Sequence, residues 1–181
     1  MSDAGSRDEL VFEQVALTGT PGTGKTSVAD AVGDRLDIDV INLNARIREE
    51  GLYTERDEER DSLIADNDAI EGYLGDWSGL LDSHLAHQFD ADAVIVLRCG
   101  PDELTERLEA RGEPEAKAAE NAESEALDIV LSEAVRRHGE ENVYEIDTTG
   151  RAIEDVADDV VDVLHGKREP AAGTVDFTGV L

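Results

Sequence analysis

The sequence predicts an α/β fold in which a mostly parallel sheet is covered by helices on both faces. Three observations predict it. Short apolar runs of strand length alternate with longer segments whose apolar residues recur at helical spacing, the signature of repeated strand–helix units. One run, Ala93-Val-Ile-Val-Leu97, is apolar throughout, as a strand buried on both faces requires. A glycine-rich stretch, Gly19-Thr-Pro-Gly-Thr-Gly-Lys-Thr26, falls between the apolar Val15-Ala16-Leu17 and an amphipathic segment. That is the placement a phosphate-binding loop of pattern G-x-x-x-x-G-K-[S/T] needs.

The elements follow in order. Residues 1–10 are polar and are expected to form a flexible N-terminus; the main domain is expected to span 11–166. A strand is expected at about 12–18, then the loop, then a helix at about 25–36 with Val28, Ala31, Val32 and Leu36 on its apolar face. Val40 to Leu43 reads as a short second strand. Residues 44–75 are polar with scattered apolar positions and read as short helices with a turn near Gly51. Leu80-Leu81 runs into Asp82-Ser83-His84. Pro101 opens a helix to about Ala110, and Gly112 and Pro114 break it. One long helix is expected from about Glu115 to His138, since Ala119, Ala126 or Leu127, Val130, Leu131 and Ala134 keep helical spacing and Gly139 caps it. Val143 to Ile146 is the last strand and Ile153 to Leu164 the last helix. Residues 167–181 contain proline and glycine and are expected to be a flexible tail.

Composition narrows the class. The chain has 181 residues, enough for one domain with a sizeable core. Its 44 acidic residues face only 16 basic ones, giving a formal charge of −28. The acids are spread along the chain and arginine outnumbers lysine, which resembles proteins of salt-loving organisms. No basic patch is visible, so strong direct nucleic-acid binding is not expected. The single cysteine, Cys99, cannot form an internal disulfide and reads as a small core residue at a strand end. The absence of any stretch of 18 apolar residues and of a signal peptide predicts a cytoplasmic protein with no membrane partner.

The chemistry starts at the loop. Gly19, Gly22 and Gly24 allow a tight turn whose N–H groups, with those of Thr23, close round phosphates. Lys25 can reach the β- and γ-phosphates, Thr26 can ligate Mg²⁺, and Ser27 follows in the first helical turn. Lysines occur only at 25, 117 and 167, so Lys25 is not generic surface charge. Asp82 ends an apolar run, where a carboxylate would hold Mg²⁺ or its water; an acid opening a turn is the plain alternative. His84 could position water or a phosphoryl oxygen or move a proton; it could also be an ordinary loop histidine. Arg107 and Arg111 stand at i and i+4, suiting phosphate oxygens, unless they pair with Glu103 or Glu106 on the surface. Lys117, beside the Gly112–Pro114 break, reads as part of a lid.

These motifs carry a resemblance. The stretches G-T-P-G-T-G-K-T-S, R-E-E-G-L-Y-T-E-R-D-E-E-R-D-S-L-I-A-D-N-D, D-S-H, R-L-E-A-R-G-E-P-E-A-K-A-A-E-N and E-I-D-T-T-G resemble, in order, those of the adenylate kinase isoenzyme 6 family, over about residues 12–165. The resemblance implies a three-layer α/β/α P-loop NTPase with small insertions: a monophosphate-binding segment at about 42–65 and a lid at about 110–120. It implies ATP and Mg²⁺ as cofactors. Gly22, Gly24, Lys25, Thr26 and Ser27 match the ATP loop, Asp82 and His84 match the D-x-H motif, Arg111 matches a nucleotide-contacting arginine, Lys117 and Asn121 match lid positions, and Asp147 to Gly150 resembles the loop near the adenine. Two departures stand out. Glu113 occupies a position that is often aromatic, and Asn42-Leu43-Asn44-Ala45 replaces an N-x-G-D start. The expected function is adenylate kinase or broad nucleoside monophosphate kinase chemistry, ATP + AMP to two ADP, with an ATPase role in small ribosomal subunit maturation and ribosomal protein uS11 as partner. Two alternatives are a ribosome-assembly ATPase switch with little kinase activity, and a P-loop kinase of another small acceptor.

Overall fold

The computed structural model describes residues 9–58 and 62–177. The expected flexible N-terminus lies, up to residue 8, outside the described residues. The elements in chain order are β1 (Gln14–Thr18), α1 (Lys25–Leu36), β2 (Val40–Asn42), α2 (Leu43–Glu50), β3 (Tyr53–Asp57), β4 (Ser62–Ala65), α3 (Asn67–Leu74), β5 (Gly79–Asp82), β6 (Ala93–Arg98), α4 (Pro101–Ala110), α5 (Glu115–Ala126), α6 (Ile129–His138), β7 (Val143–Asp147) and α7 (Ile153–Leu164).

β2, β5, β1, β6 and β7 form one sheet in that order, every pairing parallel. Strand alternation divides the core in two. Val15, Leu17, Leu80, Ile95, Leu97 and Ile146 face α1 and α7, where Val28, Val32, Val156 and Val160 meet them. Ala16, Leu81, Val94, Val96 and Val143 face the other way, onto Leu43 and Ile47 of α2, Ile70 of α3, and Leu131 and Ala134 of α6. The predicted fold class is therefore the observed one. The carboxyl ends of β1, β5, β6 and β7 come to one edge, the usual ligand edge of such sheets.

Three local readings are corrected. Residues 53–57 and 62–65 pair as antiparallel strands, β3 with β4, rather than forming short helices. Its strand Tyr-Thr-Glu-Arg-Asp is almost wholly exposed, so no apolar alternation marks it in the sequence. The helix expected at 115–138 is two helices. Asp128 adopts a left-handed conformation with φ 55° and ends the run, a conformation that aspartate tolerates better than most side chains. Leu43 belongs to α2 rather than β2; Asn42 caps that helix by accepting from the Ala45 amide at 3.1 Å.

The tail does not run free from Gly166. Ala171 bridges to Tyr144 on the open edge of β7: the Glu145 amide donates to the Ala171 carbonyl at 2.8 Å, and the Ala171 amide donates to Val143 at 3.0 Å. An unpaired strand edge is a ready template for such cover. Residues 178–181 of the expected tail lie outside the described residues.

Candidate active site

The phosphate loop is shaped by close approach. Gly19 has φ +148°, and a Cβ there would stand 2.6 Å from the Leu97 carbonyl oxygen on β6. Gly22 has φ +96°, and a Cβ would meet Leu104 and Leu108 of α4 at under 3 Å. Only glycine lets this backbone sit so deeply. Gly24 opens α1 with no side-chain cap, so the first-turn N–H groups remain available to an anion.

Lys25 is folded back into its own loop. Its Nζ donates to the Thr20 carbonyl at 3.1 Å, which also accepts from the Thr23 hydroxyl at 2.9 Å. Lys25 is only 8% exposed. Burial pushes its ammonium down to about 8, although Asp82 pulls the other way; nearby Arg111 adds to the lowering. Asp82 ends β5, beside Leu17 of β1 in the sheet register, and is buried. Burial raises its carboxyl, while a hydrogen bond from Thr26 and the charge of Lys25 oppose the rise. Thr26 and Asp82 thus present oxygen atoms to each other at the phosphate edge. No group of three or more histidine, cysteine, aspartate or glutamate side chains suited to a metal occurs among the described residues. The arrangement suits Mg²⁺, which takes one or two protein oxygens and completes its shell with phosphates and water.

His84 follows two residues on. Ser83 fixes this turn: its amide donates to Leu17 at 3.2 Å, and its hydroxyl meets Asn44 Oδ1 at 2.9 Å and accepts from Leu85 at 3.0 Å. Burial holds the His84 imidazole down at about 4, and Lys25, His87 and Lys117 add to the effect. The ring is therefore neutral at pH 7. It also lines a cavity of about 480 Å³ with Thr54, Leu63, Asp66, Asn67 and Gln88, between the β3–β4 hairpin and α3.

Arg107 of α4 and Arg111, which follows that helix, do not share a target. Arg111 acts on Lys25 through its charge. Arg107 turns to the loop backbone and to Thr148, donating to the carbonyls of Thr23 at 3.4 Å and Thr148 at 3.2 Å, with Glu103 at 2.9 Å. Lys117 pairs with Glu113 at 3.4 Å, so the position that departs from the aromatic pattern holds Lys117 instead. Asp147 spends its carboxylate on its own turn, accepting from the Thr149 amide at 3.0 Å and hydroxyl at 2.6 Å. Ser27 is exposed in the first turn of α1. Lys25, Thr26, Asp82, His84, Arg111 and Lys117 thus form one neighbourhood, with Arg107 and Asp147 to its side. Cys99 is a buried core residue with Leu104, Leu108 and Ala118, and burial raises its thiol to about 12.

Sequence reasoning missed two arrangements. His87, buried, bridges Thr18 Oγ1 and Glu133 Oε2, each at 2.7 Å, just before the loop. Arg98, 1% exposed, joins Glu125, Asp128 and Glu145. The one signal for the latter is a charged residue closing the apolar run Ala93–Leu97.

The AAA domain family profile matches residues 15–128. A protein named "Putative adenylate kinase" from Natronomonas pharaonis is 64% identical over 166 residues, covering 91% of this chain and 98% of that protein. Another so named, from Halobacterium salinarum, is 55% identical with the same coverage, and one from Methanocaldococcus jannaschii is 39% identical over 91% of this chain and 93% of its own length. A shikimate kinase from Bacteroides thetaiotaomicron shares the fold with TM-score 0.58 at 18% identity, over 85% of this chain and 99% of that one. A gluconokinase from Sinorhizobium meliloti does so with TM-score 0.54 at 17% identity, over 84% and 91%. The chain belongs to the AAA-domain P-loop family and, within it, to the family of these archaeal proteins that carry the adenylate kinase name.

Proposed function

We propose that this ATP-dependent phosphotransferase moves the γ-phosphoryl group of ATP to a nucleoside monophosphate, AMP first among acceptors, giving two ADP. One observation carries the reading: His84 is shared between the phosphate loop, where it feels Lys25, and the cavity of about 480 Å³ under the hairpin. A donor site and a space of nucleoside size therefore adjoin at one neutral, half-buried imidazole. Asn67 and Gln88 on the cavity wall, joined at 3.1 Å, offer amide groups to a nucleoside.

The steps this geometry supports are mostly electrostatic. The loop amides and the uncapped start of α1 receive the β-phosphate. Lys25 leaves the Thr20 carbonyl for the β- and γ-oxygens, exchanging one neutral acceptor for several charged ones. Thr26 and Asp82 are the residues that would hold Mg²⁺, whose charge helps to neutralise the phosphates. Arg111 and Lys117 bring two further positive charges from opposite sides of the lid break. His84, neutral and with limited access to water, orients the acceptor oxygen by hydrogen bonding. Arg107 braces the loop from behind and is a positioning residue in this scheme. The lid at about 110–120 and the monophosphate segment at about 42–65 are the two parts that close on substrate and exclude water.

A second reading, an ATPase switch in small ribosomal subunit maturation with uS11 as partner, is favoured by the net charge of −28, which suits a basic partner segment. Product analysis separates the two. ATP with Mg²⁺ in molar salt should yield ADP in proportion to added AMP, with little free phosphate. ADP and phosphate appearing at one rate whether or not any monophosphate is present would overturn the kinase reading.

A further inference from the structure

The strongest unexplained feature lies behind the site. Arg98 ends β6 with its guanidinium almost wholly buried. Its Nε donates to Glu125 Oε1 at 2.7 Å, one terminal nitrogen to Glu145 Oε2 at 2.7 Å, and the other to Asp128 and to the Glu125 carbonyl at 3.0 Å. The three carboxylates belong to different parts of the site's framework. Glu125 lies in the last turn of α5, the helix that carries Lys117. Asp128 is the left-handed residue that separates α5 from α6. Glu145 lies on β7, two residues before Asp147.

One cation facing three carboxylates leaves an excess of negative charge, and two of the three, Glu125 and Glu145, lie in a dry place that is stable only if their remaining oxygens find donors. They do. Glu125 Oε2 accepts from the Cys99 amide at 3.2 Å. Glu145 Oε1 accepts three hydrogen bonds, all from the C-terminal tail: the Thr174 amide and hydroxyl, each at 2.8 Å, and the Val175 amide at 3.0 Å. The Phe177 ring then lies over the guanidinium at 5.2 Å and closes the cluster from outside. Nearby, the Gly100 amide donates to Thr149 Oγ1 at 2.8 Å in the loop after β7, and a Cβ at Gly100 would stand 4.0 Å from the Phe177 ring. No residue of 171–177 belongs to the candidate site, yet the cluster is complete only with them in place.

We propose that Arg98 is a positioning residue and that residues 171–177 form a strap that completes its cluster, pinning the C-terminal end of α5 so that the lid hinges only at its Gly112–Pro114 end. The chemical consequence is control of water. With α5 anchored, Lys117 returns to one place over the phosphates at each closure. With the strap released, Glu145 Oε1 loses three donors, water enters the cluster, and the lid closes loosely. ATP then loses its γ-phosphoryl group to water more often: the bond between the β,γ-bridging oxygen and the γ-phosphorus breaks, a water oxygen bonds to that phosphorus, and ADP, phosphate and a proton leave. The functional part rests on the phosphotransferase reading above.

The test uses the full-length chain carrying Thr174→Pro with Phe177→Ala, which removes two of the three tail donors and the ring, and the conservative Thr174→Ser, which keeps the donors. Two measurements are made: amide exchange by peptide, and the ratio of phosphate released to AMP phosphorylated. The double variant should show at least about tenfold faster exchange over residues 118–128 but not over β1 or β5, with the ratio rising about fivefold or more, while Thr174→Ser stays at the native values. Unchanged exchange and ratio would overturn the proposal. Faster exchange with an unchanged ratio would overturn it too, since the strap would then be structural only. If the native chain phosphorylates no monophosphate, the kinase reading fails on its own. The exchange data with the rate of phosphate release from ATP alone then decide the strap.

Discussion

Two cations are buried among the described residues, Lys25 and Arg98, and the molecule treats them in opposite ways. Lys25 has one backbone carbonyl as its close partner and a weaker contact at 3.5 Å to Thr23. Burial lowers its proton affinity. Arg98 has three carboxylates; burial works against its charge, but Glu125 and Asp128 outweigh it and hold the guanidinium above its ordinary value. On the proposed function, a charge kept for chemistry is left short of partners, so that a substrate can supply them. A charge kept for architecture is supplied in full by the fold.

The largest effects should separate the two along that line. Lys25→Ala should lower kcat/KM for phosphoryl transfer by about 10⁴-fold, roughly 5 kcal/mol of transition-state stabilisation. The same variant should melt no earlier than the native protein, because a poorly partnered buried ammonium is removed. Steady-state kinetics beside thermal melts check both, and near-native turnover would sink the phosphate-loop assignment. Arg98→Met should do the reverse. It strands Glu125 and Glu145, whose side chains are 3% and 0% exposed, and should cost about 3–5 kcal/mol in denaturant unfolding. If Arg98→Met unfolds at the native denaturant midpoint, the contrast between the two cations fails.

The same contrast explains what could be read from the sequence. Lys25 sits in eight contiguous residues whose spacing carries the chemistry, and its flanking strand and helix were legible from periodicity. Asp82 and His84 were legible because an apolar run ends at them. Arg98 was not, because its partners lie 27, 30 and 47 residues away in the chain and meet only when the sheet forms. The β3–β4 hairpin escaped for a related reason: its residues are charged and exposed, so tertiary placement rather than alternation makes it a strand pair. The hydrophobic spacing from 115 to 138 continues through Asp128 and cannot show that this residue turns left-handed and pairs with Arg98.

A smaller effect sharpens the functional half. His84→Gly should lower phosphoryl transfer about 10²-fold while changing ATP affinity by about twofold or less. The imidazole also lines the cavity proposed for the acceptor, and it is neutral, so its contribution would be directional rather than ionic. Isothermal titration with ATP, set against initial rates with AMP, reads the two quantities separately. Equal losses in both would make His84 a structural residue of the turn that Ser83 builds.

The smallest effect is a pH dependence that only one of the two cations should show. In the ligand-free protein Lys25 loses its proton near pH 8, against an ordinary 10.5. Bound triphosphate surrounds the ammonium with negative charge and raises that value, so the complex holds a proton that the free protein has lost. ATP affinity should therefore be level below pH 8 and fall by up to about tenfold per pH unit above it. The folded-state value lies below the unfolded one, so between pH 8 and 10.5 the unfolded chain binds more protons. Unfolding free energy of the ligand-free protein should rise with pH across that window as far as Lys25 governs it. Arg98 stays charged throughout and contributes no slope. Calorimetric titration of ATP at pH 9 in two buffers of different ionisation heat should show uptake of nearly one proton, and Lys25→Met should abolish it. Proton uptake that survives that substitution would assign the titration to another group and remove the physical basis for treating Lys25 as the under-partnered charge.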